Sequence, residues 1–462
     1  MPEATTETTD KSLRDSKAAR WAALGIISIT MFAGYMLTDI MSPLKPMLES
    51  QLGWSSTDYG IFTSAYGWLN VFFVLLIVGG IILDKMGVRF TGLMASGIMV
   101  LGASIKYYAI STVFAPDAVF VGMKLQVVIA SVGFAIFGVG VEIAGITVSK
   151  IIVKWFKGHE MALAMGMQMA VARLGTLLAM AAPVPIATYF DNSISAPIAF
   201  TLVLLVIGFI AFFVYTYMDK KLDASVATGP ADKEEDDFKF SDIALIMKNK
   251  GFWLIAFLCV LFYSSVFPFL KYAADLMVNK YNVDPKTAGL IPSLLPLGTL
   301  FLTPFFGSIY DKKGKGATIM IIGSVMLILI HGVFSLPFLN HWLLAVVLVL
   351  MLGVALSLVP SAMWPSVAKI IPEKQLGTAY SLIFWIQNWG LMGVPLLIGV
   401  VLDQANPGVS EAKAAGETVS YNYTIPMMIF TTFGILAVIV AVLLKAEDKK
   451  AKYGLELPNI KK

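Results

Sequence analysis

Apolar residues dominate twelve stretches of this chain, and short polar segments separate them. The stretches fall near 21–45, 58–83, 91–113, 119–148, 160–190 and 196–218, then near 251–279, 286–310, 316–338, 342–368, 376–402 and 422–445. A bilayer's hydrocarbon core, about 30 Å thick, needs roughly 20 residues of helix to span it, and every stretch is long enough. The pattern predicts an all-α membrane protein with twelve transmembrane helices. The longest polar interruption, 219–250, contains Lys233-Glu234-Glu235-Asp236-Asp237 and divides them into two sets of six. The expected organisation is a cytoplasmic tail over 1–20, a six-helix half over 21–218, a cytoplasmic linker over 219–250, a second half over 251–445 and a cytoplasmic tail over 446–462.

Composition removes the soluble alternative. Hydrophobic residues make up 58% of the chain and charged residues 14%, against about 45–50% and about 25% in soluble domains. The partner implied is the lipid bilayer. A net charge of +4, with the basic residues scattered between apolar spans, gives no footprint for nucleic acid. Most of the 34 basic residues fall in the two tails and in alternate loops, which by the positive-inside rule puts both termini in the cytoplasm. The single Cys259 lies inside an apolar stretch and excludes a disulfide framework. Residues 1–20 lack the apolar core of a secretory signal.

The loop after the second span of each half repeats one signature. It reads Gly80-x-x-x-Asp84-Lys85-x-Gly87-x-Arg89 in the first half and Gly307-x-x-x-Asp311-Lys312-x-Gly314-Lys315 in the second. Small residues let neighbouring helices approach, and charges placed at cytoplasmic helix ends can latch that side shut. The bland reading is that Lys85 and Arg89 only enforce topology. On this repeat the chain resembles the major facilitator superfamily, which implies two six-helix halves rocking about a central cleft so that each side opens in turn.

Ionisable residues within spans are costly and mark candidate sites. Glu142 in the fourth span and Arg173 in the fifth flank the turn at Gly158. At about 1.5 Å per residue they stand roughly 24 and 22 Å from it, at nearly one depth. Facing inward, they offer a carboxylate and a guanidinium to the ammonium and carboxylate of a zwitterion. Equally, they form a permanent salt bridge holding two helices together. The second half supplies Ser361, Trp364, Trp385, Gln387 and Asn388 at comparable positions, and Tyr35, Tyr66 and Tyr263 fall in the middle or outer part of their spans. Aromatic and amide side chains of this kind hold the middle of a solute, although membrane helices also pack them routinely. Asp39 ends the first span, as an outer cap or a proton site. Lys271 and Asp275, four apart after Pro268, read as a local ion pair, and Lys106 and Lys124 as side chains that snorkel outward.

Longer matches narrow the resemblance. Gly140-Val-Glu142, Lys154-Trp155-Phe156-Lys157-Gly158-His-Glu160, Gly166-Met-Gln168, Ala172-Arg173-Leu-Gly175, Tyr66-Gly-Trp68-Leu-Asn70, Val266-Phe267-Pro268-Phe269 and Trp364-Pro365-x-Val367 are similar to the branch of major facilitator superfamily domain-containing protein 1. Animal members of that branch are lysosomal dipeptide uniporters. The resemblance implies a dipeptide substrate, with Glu142 and Arg173 at the positions that grip its termini. The chain departs from the animal pattern in lacking an acidic dileucine signal near its N-terminus and in placing Lys271 after the Phe-Pro-Phe run. The expectation is a bacterial inner-membrane relative working as a monomer, without cofactor or metal. No nucleophile set, metal-binding run or carboxylate pair marks an enzyme, and His159, His331 and His341 are scattered. A proton-coupled symporter, with Glu142 or Asp39 carrying the proton, or an exporter of another small organic solute remains the alternative. A permanent Glu142–Arg173 bridge would keep Glu142 ionised and so favour uniport.

Overall fold

The computed structural model describes residues 13–115, 117–226, 240–372 and 375–460. The acidic run at 233–237 lies outside the described residues. Helix α1 (Lys17–Asp39) starts at Ser16, whose side chain accepts from the backbone of Ala19. A short α2 (Lys45–Leu52) follows, and then α3 (Ser56–Phe72), opened by a capping box between Ser55 and Asp58. Next come α4 (Leu75–Ser111), α5 (Leu125–Phe156), α6 (Met161–Ala181), α7 (Pro183–Tyr189) and α8 (Ser195–Val226). The second set comprises α9 (Phe240–Met247), α10 (Lys250–Tyr281), α11 (Leu290–Lys313), α12 (Gly316–Ser335), α13 (Trp342–Ile370), α14 (Leu376–Ala405), α15 (Val409–Ala414) and α16 (Thr424–Ala451).

Eleven helices among the described residues are long and apolar enough to cross a membrane. The twelfth crossing is broken. It begins as α3, interrupts at Phe73 and at Val74, which takes a left-handed φ of 55°, and resumes as the first part of α4. Within α4, Gly87 has φ 74° and ψ 173°, so a sharp turn separates the end of the second crossing from the third. That position is the second glycine of the repeated loop, and its counterpart Gly314 also has a positive φ, 67°. Two expected span limits move. Residues 119–124 are not helical: Val119–Phe120 pairs antiparallel with Met123–Lys124 across Val121 and Gly122, both at positive φ, the turn geometry that matches strand twist. The fifth crossing ends at Ala181, and Pro183 restarts the chain as α7.

Ion pairs fix which helix ends share a face. Arg20 of α1 pairs with Glu160 at the start of α6, and Lys250 of α10 with Glu447 near the end of α16, each at 2.9 Å. This is the face that carries the chain's ends, the termini face. At the opposite face the end of α1 meets the far part of α10, and α3 packs along α14.

Two glycines let the third and fourth crossings touch backbone to backbone. A Cβ on Gly102 would lie 2.4 Å from Phe137 N and 2.5 Å from Gly133 O, and one on Gly133 would lie 2.6 Å from Lys106 N. Neither contact is with a flexible side chain, so a larger residue must separate the helices. Gly102→Val is expected to cost about 3 kcal/mol or more of first-half stability, read as a fall in melting temperature of the purified protein in detergent. Gly80→Val, whose added Cβ meets nothing within 4 Å, should melt close to wild type.

Candidate functional site

One cavity between the halves gathers side chains that each helix presents on a single stripe. Helix α1 contributes Tyr35, Thr38 and Asp39; α3 contributes Thr63 and Tyr66; α5 contributes Glu142; and α6 contributes Arg173 and Thr176. From the second half come Phe267 and Lys271 of α10 and Gln387, Leu391 and Pro395 of α14, each set spaced by four residues. About 780 Å³ here is free of atoms, counting the space open to solvent. Arg173 also lines a second chamber of about 1030 Å³ with Met169, Tyr263, Thr303, Ser361 and Trp364. The guanidinium therefore stands where the two chambers adjoin.

Glu142 and Arg173 do not pair with each other. Glu142 accepts a 2.8 Å hydrogen bond from the Tyr66 hydroxyl. Arg173 lies over the rings of Tyr35 at 6.0 Å and Phe267 at 5.8 Å, one from each half, and holds no ion pair among the described residues. The permanent bridge considered above is thus absent, and with it the support it lent to uniport. An aromatic wall continues into the second chamber. Phe267 stacks on Tyr263 at 5.3 Å, Tyr263 accepts from Trp364 Nε1 at 3.1 Å, and Trp364 stacks on Phe384 at 4.9 Å.

Two expected lining residues are elsewhere. Trp385 donates its indole N–H to the Val71 carbonyl at 3.1 Å and lines neither chamber, so it is a strut between α14 and α3. Asn388 is 2% exposed and donates to Phe384 O within its own helix. Gln387 does line the cavity and accepts from Cys259 at 3.5 Å.

The reading of the lysines needs correction. Lys271 does not pair with Asp275; it donates to Asp39 Oδ1 at 2.6 Å and to Thr38 O at 2.7 Å, joining the halves at the end of the cavity nearest the opposite face. Asp275 is fully buried and bonds Lys45 at 2.9 Å and Tyr423. Lys106 does not snorkel: it is wholly buried, donates to Leu37 O at 3.3 Å and lies over Phe62 and Phe134. Lys124 donates to Gly53 O and, at 3.1 Å, to Asp58. Asp39, Lys271, Tyr263 and Phe267 share sides of their helices that a four-residue count could have revealed, since 263, 267, 271 and 275 form one stripe.

Beyond the Asp39–Lys271 pair, further contacts close the opposite face. Lys45 also bonds Glu49, which Lys413 reaches at 3.3 Å. Burial disfavours the Lys45 charge, but Asp275 and Glu49 hold its pKa well above the usual lysine value. Asp403 accepts from the backbone of Ser56 at 3.1 Å and Thr57 at 2.6 Å, and Tyr59 donates to Lys271 O at 2.8 Å. On the termini face the charges of the repeated loops bond within their own half. Asp84 pairs with Lys150 at 2.8 Å, and Arg89 with Asp223 at 3.2 Å and Asp219 at 3.7 Å. Asp311 accepts from Asn459 at 2.8 Å, and Lys85 and Lys312 are exposed. The molecule is therefore sealed at the opposite face.

The Major Facilitator Superfamily model matches residues 27–395 and 269–459. The chain belongs to that superfamily. It is a multi-pass membrane transporter that acts on a small-molecule substrate, not an enzyme. It is similar to lysosomal dipeptide transporter MFSD1 of Mus musculus, 28% identical over 400 residues, covering 84% of this chain and 81% of the relative. Among solved structures it resembles a bacterial homolog to the human lysosomal transporter Spinster, with a TM-score of 0.68, 13% identity and coverage of 94% and 98%. It also resembles the POT family transporter PepTSo, with a TM-score of 0.67, 14% identity and coverage of 94% and 99%. At these identities the structures speak for the fold alone.

If Asp39–Lys271 holds the seal of this transporter, Asp39→Asn should raise labelling of a Thr63→Cys probe by a membrane-impermeant thiol reagent supplied at the opposite face. A buried pair losing one partner costs about 3–5 kcal/mol, and these two side chains are 10% and 12% exposed, so at least about a tenfold increase is expected. The native Cys259 is buried and gives little background; labelling at the wild-type rate would show that other contacts hold the seal.

Proposed function

We propose that this transporter carries small zwitterions, foremost dipeptides, by alternating access in a bacterial inner membrane, with both termini in the cytoplasm. The reading rests on one observation: Glu142 and Arg173 face the same cavity and are not spent on each other. A dipeptide's ammonium would bond Glu142 beside Tyr66, and its carboxylate would bond Arg173, which has its guanidinium donors available. Tyr35, Tyr263, Trp364 and Gln387 would hold the middle of the solute, while Trp385 and Asn388 support α14 behind it. The MFSD1 relatives are lysosomal dipeptide transporters, which points the same way.

In this reading the sealed opposite face is the outer one, and the state described loads or releases solute on the cytoplasmic side. When the halves rock, Asp84, Arg89 and Asp311 would give up their partners within each half and, with Lys85 and Lys312, would pair across the halves and close the cytoplasmic face. The transporter would work as a monomeric uniporter. Proton-coupled symport is a second reading, favoured by the finding that Glu142 has Tyr66 rather than Arg173 as its partner; Asp39 is the other carboxylate of the cavity.

Uptake of labelled dialanine into liposomes holding the purified protein tests this. Saturable uptake should fall about 30-fold or more in Arg173→Ala and in Glu142→Gln, the cost of truncating one partner of a desolvated charged contact. Uptake unchanged by an imposed pH gradient means uniport, and uptake driven by it means symport. Folded wild-type protein that takes up no dipeptide would refute the assignment.

A further inference from the structure

We propose that Lys271 is the specificity-determining residue for a second carboxylate on the solute, so that dipeptides with an acidic side chain are favoured; this rests on the dipeptide reading above. Lys271 follows Tyr263 and Phe267 at four-residue spacing along α10 and lines the same cavity as Glu142 and Arg173. With the peptide's termini on those two residues, its side chain is left to meet the remaining polar groups of the wall. On the opposite-face side of Glu142 and Arg173 the polar groups of the wall include Lys271, Asp39 and Thr176. The Thr176 hydroxyl is buried, 2% exposed, and has no hydrogen-bond partner. It sits one turn beyond Arg173 on α6, so the cavity wall holds an unused donor in that direction.

The Asp39–Lys271 pair can yield to an anion but not, at equal cost, to a cation. A solute carboxylate would replace Asp39 Oδ1 on Lys271 and leave that ammonium bonded, with Thr38 O as its second acceptor. Lys106 lies over the Phe134 ring at 4.8 Å and Lys271 over the same ring at 5.8 Å, so two basic side chains and one acidic one, Asp39, gather at this end of the cavity and favour an added carboxylate over an added cation. A cationic side chain would instead take Asp39 and strand Lys271. The other carboxylate on its own helix stripe, Asp275, is fully buried and already bonded to Lys45, Tyr423 and Asn279. An uncompensated buried charge is the expensive outcome. The asymmetry therefore selects acidic over basic side chains. Because Asp39–Lys271 also bridges the halves, an acidic dipeptide loosens the seal by the same bond exchange.

Competition against labelled dialanine uptake in proteoliposomes tests the assignment. Alanyl-glutamate should compete about tenfold more strongly than alanyl-glutamine, the worth of one charge-assisted contact, and alanyl-lysine should compete more weakly than either. Lys271→Gln should bring the glutamate-to-glutamine ratio to about one, whereas Lys271→Arg should retain a preference for glutamate. A wild-type ratio near one, with alanyl-glutamine still competing, overturns the role of Lys271 and leaves the dipeptide reading standing. A glutamate preference that survives in Lys271→Gln also overturns it. Failure of every dipeptide to compete refutes the underlying reading instead. Should Lys271→Gln not fold, Asp39→Asn, which frees Lys271, must raise the ratio above wild type; a ratio that falls or stays the same counts against the proposal.

Discussion

A hydrocarbon layer offers no water to an unpaired charge, so every ionised group that enters it must find its partner inside the protein. This constraint organises the sealed end of the molecule. Lys45 and Glu49 come from the first half, Asp275 and Lys413 from the second, and the four interlock with almost no exposure of the two carboxylates. Asp39 and Lys271 repeat the arrangement at the cavity itself. Buried pairs of this kind are worth little net against a fully solvated state, yet they cost several kcal/mol when one partner is left behind. A seal built from them is selective for register rather than strong. That property fits a transporter, in which a closed end must be well defined and must still open.

Glycine and helix-stripe geometry convert the same constraint into a cavity. Where α3 runs against α14, a Cβ on Gly399 would come within 2.3 Å of Ser56 O, and one on Gly60 within 3.0 Å of Pro395 O. The halves thus touch by backbone near the opposite face and again at Gly67, where an added Cβ would lie 3.3 Å from Asn388 O, and the cavity lies beside this seam. Tyr35, Phe267, Tyr263 and Trp364 line the space that opens, and Trp385 bonded to Val71 O marks a level at which α3 and α14 still meet. Just beyond Val71, α3 breaks at Phe73 and Val74.

Much of this was legible in the sequence, and the failures share one cause. Span length and the repeated loop carried the fold because they depend on bilayer thickness and on turn chemistry, both local. The common depth of Glu142 and Arg173 followed from helix rise, and both do line one cavity. Partners across long sequence distances did not follow. Spacing four apart made Lys271 and Asp275 look like a helix-surface pair, but each is bonded to the first half, more than 200 residues away. Lys106 reads as an interfacial lysine because nothing in the sequence shows that Phe62, Phe134 and Leu37 surround it. Trp385 lies two residues before the cavity residue Gln387, on another side of α14, and the packing of α14 on α3 gives its indole the Val71 carbonyl. The β-hairpin at 119–124 was hidden by its hydrophobicity, which resembles the start of a span.

The state of Arg173 ties the cavity to its proposed use. Its guanidinium rests between Tyr35 of one half and Phe267 of the other, contacts worth about 0.5–2 kcal/mol each, depending on how far water is excluded. A carboxylate can make two charge-assisted hydrogen bonds to a guanidinium, and ring contacts do not use its N–H donors. A Glu142–Arg173 bridge would have had to be broken first, adding its own cost to every binding event. With Glu142 held by Tyr66 and Arg173 beside the Tyr35 and Phe267 rings, both ends of the proposed zwitterion would meet groups already in place, and what would remain to be overcome is the seal between the halves.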